Sequence, residues 1–151
     1  MRILKTTAAA LLLILLLVCL LVGQDVKAPI SEPAADGMFI YITAGPDQPH
    51  RVLMALQMAA LISDSLEVAV YCDIDAVKWL TQDAPDLEFS HFPSSHTQIA
   101  TLVERGVPVM ACPGCLKAAG LTAEQLMPGV MVADKALFFG FTKGRILTLD
   151  Y

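Results

Sequence analysis

Short β-branched and aromatic runs alternate with helix-forming segments along most of this chain, and that alternation restricts the available folds more than any other feature. Met38 to Thr43 (MFIYIT) reads as a strand ending at the turn Ala44-Gly45-Pro46. Arg51 to Ser63 is rich in Leu, Met and Ala, strong helix formers, and is apolar on most faces, as in a helix buried against a sheet. Leu66 to Cys72 (LEVAVYC) is a second strand and Asp75 to Leu80 a short helix. Gln82 to Phe92 is an acidic, Pro-interrupted connection with room for a short strand. Ser95 to Arg105 forms an amphipathic helix closed by Gly106, and Val107 to Ala111 (VPVMA) a third strand. Pro113 opens a helix running to about Ala119, and Thr122 to Gln125 resembles a capping box. Val130 to Val132, Lys135 to Thr142 and Ile146 to Leu149 then read as strand, helix and strand.

The resulting expectation is an α/β fold, a mostly parallel sheet with helices on both faces in three layers, of the flavodoxin or Rossmann kind. In such sheets working residues gather beyond the carboxyl ends of the strands. Cys72 and Cys112 each end a strand, so both belong to that edge, as does the turn carrying Asp47, His50 and Arg51.

The first residues do not fit this pattern. Arg2 and Lys5 precede 18 uncharged, Leu-, Ala- and Val-rich residues from Thr6 to Gly23. A basic start followed by an apolar run is the layout of a secretory signal, and its length also reaches the lower limit for a membrane span. Both readings place the rest of the chain outside the cytoplasm, in the periplasm, either soluble or tethered by residues 6–23. Residues 1–27 are therefore expected to be a signal peptide or anchor, residues 28–37 (APISEPAADG) a flexible linker, and residues 38–151 the domain. Without Arg2 and Lys5 the chain carries eight basic against fifteen acidic side chains, a net of −7. That balance argues against nucleic acid or anionic lipid as a partner of the folded part and leaves the N-terminal segment as its only membrane contact.

Cys112-Pro113-Gly114-Cys115 carries the clearest chemistry. A thiol between a strand end and a Pro-started helix faces free backbone N–H groups, which favour the thiolate. Cys115 lies one helical turn on and can close a disulfide with Cys112. From the residues alone, a structural disulfide, a thiol–disulfide oxidoreductase with Cys112 attacking and Cys115 resolving, and a copper or zinc module using this pair with a histidine all remain open. His50, His91 and His96 have no ligand spacing to the pair. Cys72 reads as a buried strand-end thiol or as a third redox partner, and His50 with Arg51 as a solvated helix start or an anion-stabilising pair. Ser94, Ser95, His91 and His96 suit a loop and helix cap, and Met54, Met58, Met127, Met131 and Trp79 suit packing.

The order of these features resembles the DsrE/DsrF-like family of sulfur-relay proteins. The resemblance rests on the first strand followed by Gly45-Pro46-Asp47-Gln48-Pro49-His50-Arg51, on Cys112 after a strand with Gly120 eight residues later, on Leu126-Met127-Pro128-Gly129-Val130, and on the closing Gly144-Arg145-Ile146-Leu147-Thr148. It implies assembly into trimers or hexamers and a cysteine, Cys112 by motif position, that carries sulfur as a persulfide between thiol-bearing donor and acceptor proteins. It implies no cofactor, and a sulfurtransferase-like carrier rather than a turnover enzyme. Export to an oxidising side and the presence of Cys115 depart from the single-cysteine relay pattern.

Overall fold

The computed structural model describes residues 33–151. The expected signal or anchor, residues 1–27, and the first part of the linker lie outside the described residues. Among the described residues no helix is long and apolar enough to cross a membrane.

Five strands form one parallel sheet: β1 (Gly37–Ile42), β2 (Glu67–Cys72), β3 (Val109–Ala111), β4 (Met131–Val132) and β5 (Ile146–Asp150). The spatial order is β4-β3-β2-β1-β5, so the chain winds outward from β1 and then returns to β1's other side. The helices are α1 (Pro49–Ile62), α2 (Ser95–Glu104), α3 (Pro113–Ala118) and α4 (Lys135–Gly140), with 3-10 turns at Ile74–Trp79 and Ala123–Gln125. The α/β parallel architecture expected from the sequence is the observed one.

Strand alternation divides the sheet into two unlike faces. Ile40 and Ile42 of β1, Val68, Val70 and Cys72 of β2, and Val109 and Ala111 of β3 join Leu53 and Leu56 of α1 and Ile99 and Leu102 of α2 in the main core. The opposite face carries Phe39, Ala69 and Met110, and among the described residues α4 is the helix that lies over it, through Leu137 and Phe138. The layers are therefore unequal: Phe139 and Ile146 remain exposed at the thinly covered face, and Leu147 is exposed on the other side of edge strand β5.

Several boundaries differ from the sequence reading for local reasons. α1 begins at Pro49, whose missing N–H suits the first turn, two residues before the expected start. β3 begins at Val109 rather than Val107, since Pro108 enters the ladder only through its carbonyl, which accepts from the Val70 N–H at 2.9 Å. No strand forms between Gln82 and Phe92; Thr81 just ahead of it makes an isolated bridge to Leu126. α4 stops at Gly140 instead of Thr142, whose hydroxyl donates to the Ala35 carbonyl at 2.6 Å. The end of the expected linker is thus pinned to the domain. Asp36 is bonded by the Arg145 guanidinium at 2.6 Å, and Gly37 already belongs to β1.

Candidate functional site at the carboxyl edge of the sheet

Cys112 follows β3 directly and caps α3. Its backbone N–H donates to the Cys72 carbonyl at 2.9 Å, which continues the ladder one residue past the strand and fixes the thiol at the sheet's edge. Its Sγ accepts from the Cys115 N–H at 3.4 Å. α3 has only six residues, so these local N–H groups, rather than a long helix dipole, act on the sulfur.

Burial pushes the Cys112 thiol up, but the Tyr71 hydroxyl, the Cys115 thiol and the N–H groups of Cys115 and Gly114 outweigh it, so the net shift is downward. Cys115 moves the other way. Its burial and its interaction with Cys112 raise it, against the Ile74 N–H, which favours its thiolate. The pair is thus differentiated into a more acidic, half-buried Cys112 and a less acidic Cys115 whose side chain packs against the main core. The structure holds Cys72, Cys112 and Cys115 as free thiols.

Two tyrosines and an aspartate, none singled out by sequence reasoning, complete the site. Tyr41 and Tyr71 are register partners on β1 and β2, stacked with ring centroids 5.9 Å apart on the thinly covered face. Burial, followed by interaction with Cys112, holds the Tyr71 hydroxyl protonated well above the ordinary phenol range, which keeps it a donor. Tyr41 donates to Asp73 Oδ2 at 2.6 Å, and this bond raises the Tyr41 hydroxyl to about 12. Asp73 Oδ1 is buried and has no hydrogen-bond partner among the described residues. The signals that mark these residues are the face parity of Tyr41 and Tyr71 and the polar residue standing immediately after β2. A groove of about 460 Å³ runs along the same face, lined by Phe39, Tyr41, Tyr71, Phe138, Thr148 and Asp150 among others.

The remaining sequence candidates are distributed elsewhere. Cys72 shares the edge, but its side chain is fully buried in the main core, and burial drives its thiol far above the ordinary range. It contributes its carbonyl, not its sulfur. His50 stacks on Phe89 at 4.4 Å, and Arg51 reaches the Gln48 side chain at 3.3 Å, so neither makes contact with the thiols. Asp47 instead lies close to Gly45. His91 meets Ser90, and the His96 N–H is bonded to Asp86 at 2.8 Å. Ser94 caps α2, while Ser95 links Leu87 and Asp86. Trp79 is fully buried and donates to the Ala44 carbonyl at 2.9 Å, bracing the turn after β1. Met58 and Met127 pack against the core, whereas Met54 is partly exposed. Among the described residues no three His, Cys, Asp or Glu side chains converge to hold a metal ion, so the cysteine pair has no third ligand there.

The geometry agrees with what comparison finds. The crystal structure of the ychN protein from E. coli superimposes with a TM-score of 0.61 at 17% identity, over 76% of this chain and 99% of that one. The protein of unknown function MTH1491 from Methanobacterium thermoautotrophicum gives 0.52 at 17% identity, over the same shares. At such identity these similarities establish the fold alone. No curated protein matches the sequence. The family model of the DsrE/DsrF-like family matches residues 36–140, spanning β1 to α4 with Cys112 and Cys115 inside it, and the chain belongs to that family.

Proposed function

We propose that this protein accepts and passes sulfane sulfur as a persulfide on Cys112, outside the cytoplasm. The observation that carries the reading is the environment of the Cys112 sulfur. It stands at the edge of the sheet and receives the Cys115 N–H at 3.4 Å, and the Tyr71 hydroxyl further favours its thiolate. These donors favour the thiolate, the form that attacks sulfur. The Cys112 thiolate attacks the terminal sulfur of a donor persulfide, the donor thiolate leaves, and an acceptor thiolate then attacks the sulfur held on Cys112. No cofactor is needed, because each step exchanges one sulfur–sulfur bond for another.

The export pattern of residues 1–27 supports a site on the oxidising side, with residues 38–151 as the working unit. The apolar surface of Phe139 and Ile146 at edge strand β5 supports a homo-oligomer, trimer or hexamer, in which a second copy covers it. A second reading, thiol–disulfide oxidoreductase, is favoured by the Cys115 thiol, which faces Cys112 and differs from it in acidity.

The two readings separate in a transfer assay. The reduced chain is loaded with a polysulfide, freed of excess donor and offered a small thiol acceptor. Carriage predicts that Cys115→Ser still passes sulfur and Cys112→Ser does not. If passage requires both cysteines and the chain also catalyses exchange of a model disulfide, the oxidoreductase reading replaces it.

A further inference from the structure

Asp73 presents an oxygen that the fold leaves without a partner. Oδ2 is held by the Tyr41 hydroxyl at 2.6 Å, while Oδ1 is buried and accepts no hydrogen bond from the described residues. Buried carboxylate oxygens are costly to leave unpaired, so an orphan beside a reactive pair calls for an explanation. The next residue, Ile74, sits at φ +49°, the left-handed region that a β-branched residue adopts only at a cost, and its backbone N–H favours the Cys115 thiolate. α3 packs against the 3-10 turn that begins there. The Cys112 N–H donates to the carbonyl of Cys72, the residue before Asp73, at 2.9 Å, so Asp73 stands beside the cysteine pair, and its charge bears on Cys115.

We infer that Asp73 Oδ1 is the proton acceptor for Cys115 and thereby equips the chain for a second activity, reductive release of the sulfur carried on Cys112. The inference rests on persulfide formation at Cys112. Asp73 takes the proton of the Cys115 thiol, and the Cys115 thiolate attacks Cys112 Sγ. The bond between Cys112 Sγ and the sulfane sulfur breaks, and the electron pair leaves with that sulfur as hydrosulfide. A Cys112–Cys115 disulfide remains. The sulfane sulfur gains two electrons and the two cysteine sulfurs supply them, so this single step needs no outside reductant. A less acidic Cys115 suits it, because that thiol stays protonated during loading and is activated only through its own base.

The titratable groups facing this centre are Tyr41 from β1, Tyr71 and Cys72 from β2, Cys112 on α3 and Asp150 from β5. Asp75 and Lys78 of the 3-10 turn pair with each other. Cys72 is buried, both tyrosines are held protonated, Cys112 carries the sulfur, and Asp150 bears on Tyr41; among the described residues Asp73 is the carboxylate that bears on Cys115 with an unbonded oxygen.

The test follows single-turnover hydrosulfide release from the polysulfide-loaded full chain across a range of pH. Asp73→Asn is expected to load like the parent and to release about a hundredfold more slowly near neutral pH, with the deficit narrowing as alkali ionises Cys115 directly. Equal rates in parent and variant would overturn the inference. So would a deficit that stays constant with pH, since that is the mark of a merely structural role. Asp73→Ser serves the same comparison should the Asn protein not fold. If the chain does not load at all, the carriage reading fails separately, and a chromogenic aromatic disulfide tests Asp73 on its own. Attack by Cys112 releases one aromatic thiolate and resolution by Cys115 the second. Asp73→Asn should slow only the second phase, and an unchanged second phase would overturn the role.

Discussion

The backbone N–H of Cys115 donates to the sulfur of Cys112 across 3.4 Å, so the two cysteines of the pair stand in different environments before any substrate arrives. Cys112 receives hydrogen bonds and is shifted toward the thiolate, while Cys115 is shifted toward the thiol. Limiting iodoacetamide near neutral pH should therefore label Cys112 first, with Cys115 following only as pH rises. Peptide mapping of singly alkylated protein checks the order. Labelling of Cys115 ahead of Cys112 would contradict it.

Tyr71 supplies one of the donors that outweigh burial at Cys112. Tyr71→Phe removes it and returns Cys112 toward the ordinary thiol range. Alkylation of Cys112 near neutral pH should slow by about tenfold, the scale of one hydrogen bond to a charged group. In strong alkali, where the thiol is ionised in either protein, the two rates should converge. A pH-independent difference would point to altered access instead.

Cys72 is fully buried, and desolvation holds its proton far into the alkaline range. Unfolded, the same thiol ionises around 9.0. Above that pH the unfolded chain loses the proton and the folded chain keeps it, so unfolding releases a proton and stability falls as pH rises. The slope from this group is about 1.4 kcal/mol per pH unit until the folded thiol itself ionises. Denaturant unfolding between neutral pH and pH ~10 should show this decline, and Cys72→Ala should flatten it. An equally steep decline in the variant would assign the slope to other groups.

Gly129 stands before β4 with φ +83°, and an added Cβ would lie 2.3 Å from Val103 Cγ1. Gly129→Ala combines left-handed strain with overlap against α2 and should cost about 2–4 kcal/mol in denaturant unfolding. Adding Val103→Ala removes the overlapping methyls, so the double variant should lose less than the sum of the two single changes. Strict additivity would show that the contact is not the cause.

The order of strands and helices was readable because its signals are local: β-branched runs, helix formers, and the stops at Gly106 and Gly120. Cys112 and Cys115 were readable for the same reason, since strand end, Pro113 and spacing lie within one short segment. Tyr41, Tyr71 and Asp73 were not, because their role depends on the register of two strands 30 residues apart and on which face α4 leaves thinly covered. The Asp36–Arg145 pair was hidden in the same way, its partners lying at opposite ends of the domain. His50 and Arg51 follow the turn after β1, as expected of that edge, but His50 stacks on Phe89 and Arg51 reaches the Gln48 side chain rather than a thiol.

Intact mass of the reduced full chain, before and after exposure to polysulfide, tests persulfide carriage most directly. The expected result is a gain of about 32 mass units mapped to Cys112 in Cys115→Ser, where no resolving thiol can discharge it, and no gain in Cys112→Ser. An unchanged mass in Cys115→Ser, or the same gain in Cys112→Ser, would contradict it.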